Sequence, residues 1–288
     1  MPHTTRRRPN PTLKHQHLTT SDGWTHVFRG TSSQKRASRP PPTTTLSPTE
    51  IANGFTLAKV QETDTKYTRQ WRESEWCAEL VGVMRREVLA GIVEEGNSLT
   101  GRRVENCVVL GLGSLSGGDG REHSWRQLAA LQTILEELRK YLPWSAIAIP
   151  RRLTEAILGS HHAITDVVFQ DPRFNRLDEE FLSSLSFTTV HDPAAFSSIG
   201  PATFVYIPHG ELEVTALALE GKEPAMYVGN DLDMWIENPT VDKAKKEMVR
   251  KWRDESVSVG MPRAESSGWC NNTKIYWKRQ DADEGVGQ

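Results

Sequence analysis

His209 is the residue of this sequence best suited to proton transfer. It closes the run "TFVYIPH" (203–209), with Pro208 fixing the chain in front of it. An imidazole titrates near neutrality, so it can serve as general acid or base without large tuning. Asp171 ends a comparable run, "DVVFQD" (166–171), and would be its acid/base partner. A third run, "CVVLG" (107–111), opens the glycine-rich stretch "GLGSLSGGDG" (111–120). Backbone N–H groups around Gly111 and Gly113, with the Ser114 and Ser116 hydroxyls, are the kind of donors that hold an anion. A fourth run, "AMYVGND" (225–231), ends on Gly229 and Asn230. A Ser114–His209–Asp171 relay can be drawn, but no G-x-S-x-G elbow accompanies it. His209 can equally cap the helix that follows or bond within a turn.

The glycine loop is tested by what a cofactor would require. A dinucleotide fingerprint reads G-x-G-x-x-G, with a helix opening inside it and an acid about 20 residues on. Gly111 and Gly113 match; the third place is Ser116, and "GGDG" (117–120) delays the helix. Asp171 has the right place in the topology but lies far later in the chain. A Walker loop needs Gly-Lys-Ser/Thr, which is absent. No cofactor is assigned.

These residues need a scaffold that brings strand ends together. The helical spacing of Trp71, Trp76, Leu80, Val83, Met84, Val88 and Ile92 predicts an amphipathic helix over 67–93, ended by Gly96 and Asn97. Short apolar runs then alternate with helical patterns. Strands are expected at 107–111, 166–171, 187–191, 203–209 and 225–231. Helices are expected at 124–142, 176–185, 211–221 and 240–252. Strands that are apolar on both sides and separated by helices indicate a parallel sheet covered on both faces. The fold class is therefore α/β: a Rossmann-like, doubly wound, mostly parallel sheet with an extra N-terminal helix. "TKIYWK" (273–278) is expected as an antiparallel edge strand, and 143–163 does not fit the alternation. In such sheets ligands bind beyond the C-terminal strand ends, where strand order reverses. Asp192-Pro193, after the third strand, reads as a plain turn.

Composition sets the remaining bounds. In the 288-residue chain, apolar residues make up 37%, diluted by a leader rich in Pro, Ser and Thr. Asp22 and Glu50 are the only acids among the first 50 residues, and "RRRP" (6–9) makes the leader basic. The expected organisation is a disordered basic leader over 1–62, an α/β domain over 63–255 and a C-terminal extension over 256–288. A net charge of −2 gives no broad attraction to nucleic acid or to a membrane surface. The basic stretch "DKAKKEMVRKW" (242–252) lacks the aromatic interleaving of a nucleic-acid surface. Cys77, Cys107 and Cys270 are too few and too scattered for a disulfide framework or a zinc site. His161-His162 has no visible third ligand, and the leader histidines lack ligand spacing, so no metal is expected. No apolar run approaches the roughly 18 residues of a membrane helix. A reducing compartment, cytoplasm or nucleus, is the expected location.

Taken in order, "CVVLGLGSLS", "QLAALQTILEEL", "VVFQDPRFNRLDEEFLSSLSF", "FVYIPHGE" and "MYVGND" resemble the Sensitivity-to-Red-light-Reduced domain family over about 106–231. The family motif falls on Gly111, Gly113, Ser116, Asp171, Pro208, His209, Gly229 and Asn230. Three departures stand out. Gly210 occupies a place where many members have Cys, and Asp231 one where many have Ser. "ELEVTALALEG" replaces an Asn/Trp-rich stretch. Chemistry that needs the missing thiol is not expected here.

The resemblance implies a regulatory or signalling protein. Plant members are linked to light signalling and circadian-clock input. Animal and fungal relatives are linked to regulation of haem synthesis, clock-gene expression and microtubule function. Three readings remain open. The chain holds a small anionic ligand or a protein partner in a strand-end crevice. Alternatively it is an enzyme with Asp171 and His209 as acid/base pair and an anionic cofactor on the Gly111–Ser116 loop. Or it is an interaction module without a ligand.

Overall fold

The computed structural model describes residues 15–19, 25–29, 47–90, 104–118, 121–141, 164, 166–262 and 270–278. The expected helix end at Gly96 and Asn97, His161-His162 and the segment 143–163 lie outside the described residues. The chain divides into two units, Met1–Thr44 and Thr45–Gln288. In the first, β1 (His15–Thr19) and β2 (Thr25–Arg29) pair antiparallel, from His15 opposite Arg29 to Thr19 opposite Thr25. This is regular structure in a stretch that composition alone reads as lacking it. The local signal is present in the sequence: Thr, Val and Phe, all strand formers, flank an Asp22-Gly23 dipeptide.

In the second unit, α1 (Leu57–Arg72) starts within the stretch assigned to the leader. The Thr56 hydroxyl caps it by accepting from the Lys59 N–H. The single helix expected over 67–93 is divided. Ser74 is extended, and its hydroxyl accepts from the Cys77 N–H, so a new helix, α2 (Glu75–Val83), begins there. It continues as a π-helical turn over Met84–Leu89.

A seven-stranded sheet follows. Its strands are β3 (Asn106–Leu110), β4 (Asp166–Gln170), β5 (Thr188–Thr189), β6 (Thr203–Ile207), β7 (Met226–Asn230), β8 (Ser256–Gly260) and β9 (Thr273–Lys278). Their spatial order is β5-β4-β3-β6-β7-β9-β8. The first five are parallel to one another, while β9 is antiparallel to both β7 and β8. Counted along the chain, the parallel strands run 3-2-1-4-5. That is the order of the first five strands of a Rossmann sheet, and it reverses between β3 and β6. β9 is antiparallel as expected, but it is interior, because β8 pairs along its far side.

Side chains alternate across the sheet and divide between two cores. Cys107, Val109, Phe204, Tyr206, Met226, Val228, Ile275 and Trp277 enter one. Val108, Leu110, Val205, Ile207, Tyr227 and Tyr276 enter the other. The first core is closed by α1, α2, α3 (Arg121–Tyr141) and α4 (Arg176–Ser184). The second is closed by α5 (Leu212–Leu219), α6 (Leu232–Glu237) and α7 (Lys243–Asp254). Both faces are covered, as the two-sided apolar strands require. Cys77, Cys107 and Cys270 are all buried, and burial pushes the Cys107 thiol far above its ordinary range. Among the described residues no helix is long and apolar enough to cross a membrane, and no cluster of side chains suits a metal ion.

Helix α3 carries one buried ionic centre. Glu137 is almost wholly buried and accepts from Arg85 Nε (2.7 Å) and from Lys140 Nζ (2.8 Å). Burial raises its pKa, but the Arg85 and Lys140 hydrogen bonds outweigh that and leave it lowered. The sign of the pH dependence follows. A carboxylate lowered in the folded state stabilises the fold fully above its ordinary value of 4.5. That contribution is lost as pH falls through the lowered folded value. Glu137→Gln is therefore expected to lower stability at neutral pH and to flatten the acid limb below about pH 4.5. Urea unfolding between pH 3 and pH 7 measures both.

Candidate functional site

The predicted site residues lie on the rim formed by the C-terminal ends of the parallel strands. Gly111 follows β3 and extends its ladder, with its N–H bonded to the Gln170 carbonyl at 3.1 Å. Gly111 and Gly113 have φ of 70° and 82°, a left-handed backbone that Gly adopts without strain. Asp171 follows β4 and reaches across to β3. Its carboxylate accepts from the Gly113 N–H (2.6 Å) and from the Arg173 N–H (2.7 Å). Burial pushes the Asp171 carboxyl above its ordinary range, against the pull of these two N–H groups.

The other half of the rim belongs to β6 and β7. Pro208 is buried and His209 is exposed at the surface of the turn after β6. Asn230 closes β7, and its Nδ2 donates to the Gly210 carbonyl at 2.9 Å. The rim thus consists of two stitched halves, Gly113 with Asp171 and Gly210 with Asn230. The halves stand on opposite sides of the boundary where strand order reverses. Asp171 and His209 leave strands separated by β3.

The Gly111–Ser116 loop is held by a residue that the sequence reading did not single out. Asp178 is fully buried at the start of α4. Its carboxylate accepts from Ser114 Oγ (2.7 Å) and from the N–H groups of Leu115 (3.0 Å), Ser116 (2.8 Å) and Asn175 (3.1 Å). Four donors on one carboxylate offset the cost of burying it. Asn175 completes a capping box with Asp178 and exchanges hydrogen bonds with Ser116 Oγ at 2.8 and 3.0 Å. Ser114 Oγ in turn accepts from the Gly117 N–H at 2.8 Å. The loop that reads as an anion cradle therefore already encloses an anion, and that anion is internal. The sequence signal was the N-cap pattern in "NRLD" (175–178). What it could not reveal is that the same carboxylate reaches back to another strand's loop.

The glycines of the rim have packing roles of their own. A Cβ at Gly229 would overlap the buried Tyr227 hydroxyl and press on the Ile207 carbonyl. A Cβ at Gly113 would meet Ser124 Oγ at 2.7 Å. A Cβ at Gly210, where many family members have Cys, would overlap the Ile207 side chain. Asp231, in place of the family's Ser, caps α6 through the Asp233 N–H (3.1 Å). It also pairs with Lys274 (2.9 Å) and accepts from the Tyr276 hydroxyl (3.1 Å). That departure ties β7 to β9.

The fold class is thus a doubly covered α/β sheet whose rim sits at its switch point. Residues 81–277 match the SRR1 domain, more than half of the chain, and the protein belongs to the SRR1 domain family. The match extends past the 106–231 range of the sequence resemblance and takes in α6, α7, β8 and most of β9. No curated protein matches the chain.

Asp178→Asn tests the internal anion. The amide turns an acceptor oxygen into an NH2 that faces backbone N–H groups. A loss of about 2–4 kcal/mol is expected from the unpaired buried donors. Denaturant unfolding measures the loss. Faster hydrogen exchange at Leu115 and Ser116 would localise it.

Proposed function

We propose that this SRR1-domain protein is regulatory, and that it holds a small ligand or a protein partner in the crevice between the two halves of its rim. The observation that carries this reading is the reversal of strand order between β3 and β6, with a stitched pair of loops on either side. Open α/β sheets bind at that point because the loops on each side diverge and leave a cleft. The group best placed to contact an occupant is His209, which is exposed on the rim. Gly111, Gly113 and Asn230 flank the crevice, with the buried Ser114, Ser116 and Gly229 behind them, the two serine hydroxyls turned onto Asp178 and Asn175. The family's links to clock input, light signalling and haem-synthesis regulation belong to this reading, as does a cytoplasmic or nuclear location, which suits three buried thiols.

Binding is favoured over turnover by the state of the loop. Its N–H groups at 113, 115 and 116 face Asp171 and Asp178, so an anionic cofactor there would meet two carboxylates. One observation favours the enzymatic alternative. Burial raises Asp171, which brings a carboxyl nearer to neutral operating pH and leaves an exposed His209 across β3.

The test is a thermal-shift panel of nucleotides and other small cofactors on the full chain. A ligand at 100 times its Kd adds about 2.7 kcal/mol of stability, a rise of several degrees. The expected result is a saturable rise with at least one compound, lost in His209→Ala. A flat panel would overturn the ligand reading and favour the interaction module. Turnover of the bound compound, abolished in Asp171→Asn, would favour the enzyme.

A further inference from the structure

A second concave site lies away from the strand-end crevice. It is a cavity of about 610 Å³ between α1 and the first turns of α3. That volume falls within the range of small-ligand pockets, roughly 300–1,000 Å³. One wall comes from α1, which precedes the residues matched by the family.

Charge is the feature that gives the cavity a chemistry. Lys59, Lys66 and Arg121 line it, together with His123. Two carboxylates also line it, but each already has a cation. Glu62 pairs with Lys59 at 2.8 Å, and Glu122 pairs with Arg126 at 2.6 Å. Lys66 and Arg121 remain without a carboxylate partner among the described residues. Each is held over an aromatic ring instead. The Arg121 guanidinium lies 4.4 Å from the Phe55 ring centre, and the Lys66 ammonium lies 5.7 Å from that of Tyr67. Tyr67 is itself stacked on the buried Trp125, with centroids 6.1 Å apart and an interplanar angle of 11°. The rings limit where the two cations can go without neutralising them. Two cations on an aromatic wall, neither with a carboxylate partner among the described residues, suit an anion that accepts several charge-assisted hydrogen bonds and carries an organic body.

We propose that this cavity binds a small organic phosphate, with Lys66 and Arg121 on the phosphate and the Phe55–Tyr67 wall against the body of the ligand. His123 stands ready as a third donor. The proposal does not rest on the strand-end crevice. It identifies a separate site, which among the described residues of the glycine loop touches Gly118.

The test uses the full chain and four probes: AMP, ribose 5-phosphate, adenosine and inorganic phosphate. Binding is read by thermal shift and calorimetry at low and at 0.3 M salt. AMP is expected to bind saturably, ribose 5-phosphate and inorganic phosphate more weakly, and adenosine not at all. Raised salt is expected to weaken AMP binding, because the contacts are ionic. Lys66→Ala and Arg121→Ala should each weaken AMP by about tenfold or more, as expected for loss of one charge-assisted contact. Lys66 is exposed, so its variant keeps the fold and provides a clean readout if Arg121→Ala is unstable. His209→Ala should leave AMP binding unchanged. The proposal is overturned if neither AMP nor ribose 5-phosphate binds, or if adenosine binds as well as AMP. It is equally overturned if Lys66→Ala binds AMP like the parent, or if His209→Ala alone abolishes binding. That last outcome would assign the phosphate to the strand-end crevice.

Discussion

The Asp178 carboxylate organises the rim. It is the N3 residue of α4, and it is also the acceptor for the loop that leaves β3. A single buried charge thus couples the start of one helix to the turn after another strand. Both need donors or acceptors satisfied: α4 has unpaired N–H groups at its start, and the loop has N–H groups with no ladder to join. Remove the charge and two unrelated pieces of backbone lose their partner together. Asn175 and Ser116 extend the arrangement, and Thr49 joins it by donating both its N–H and its hydroxyl to the Arg173 carbonyl at 3.0 and 3.1 Å. Residues 49–52, ahead of α1, are therefore also moored to this rim, through Thr49 and through the Ala52 N–H on the Ser116 carbonyl (2.9 Å).

This arrangement changes what the glycine-rich stretch means. Gly-x-Gly after a strand is shared by loops that bind phosphates and by loops that must turn tightly over the end of a sheet. Here the turn is tight because Asp171 and Asp178 draw the backbone inward from two directions. The left-handed glycines permit that path, and the serines supply hydroxyls to it. A fingerprint that fails at its third glycine is, in this chain, a structural loop with its counter-charge built in.

Much of the sheet was legible because its strands are short, apolar on both sides and separated by helical patterns. β3, β4, β6 and β7 fall where the runs predict, and the two-sided burial of Cys107–Leu110 explains why no alternation was visible there. The 187–191 run shrank to Thr188–Thr189, since it is an edge with a single neighbour. The helix over 67–93 was misjudged because periodicity cannot see a break made by one serine hydroxyl at Ser74. On the rim, Asp171 and Asn230 stand where position alone places them, as polar residues at strand ends. Asp178 was missed because a charged residue in a helical pattern reads as a solvated face. Its burial is a tertiary fact, created when the loop after β3 arrives over α4.

The sheet closes out of sequence order. β8 precedes β9 in the chain, yet β9 takes the place beside β7 and β8 pairs outside it. On a ribosome, β7 emerges with one edge exposed, and the strand that covers it is the last of the sheet to be made. Until residues 273–278 leave the exit tunnel, five parallel strands present an open edge with unpaired backbone groups, the kind of surface that recruits other chains. Covering that edge waits on β9, and β8 has no place in the sheet until β9 is there.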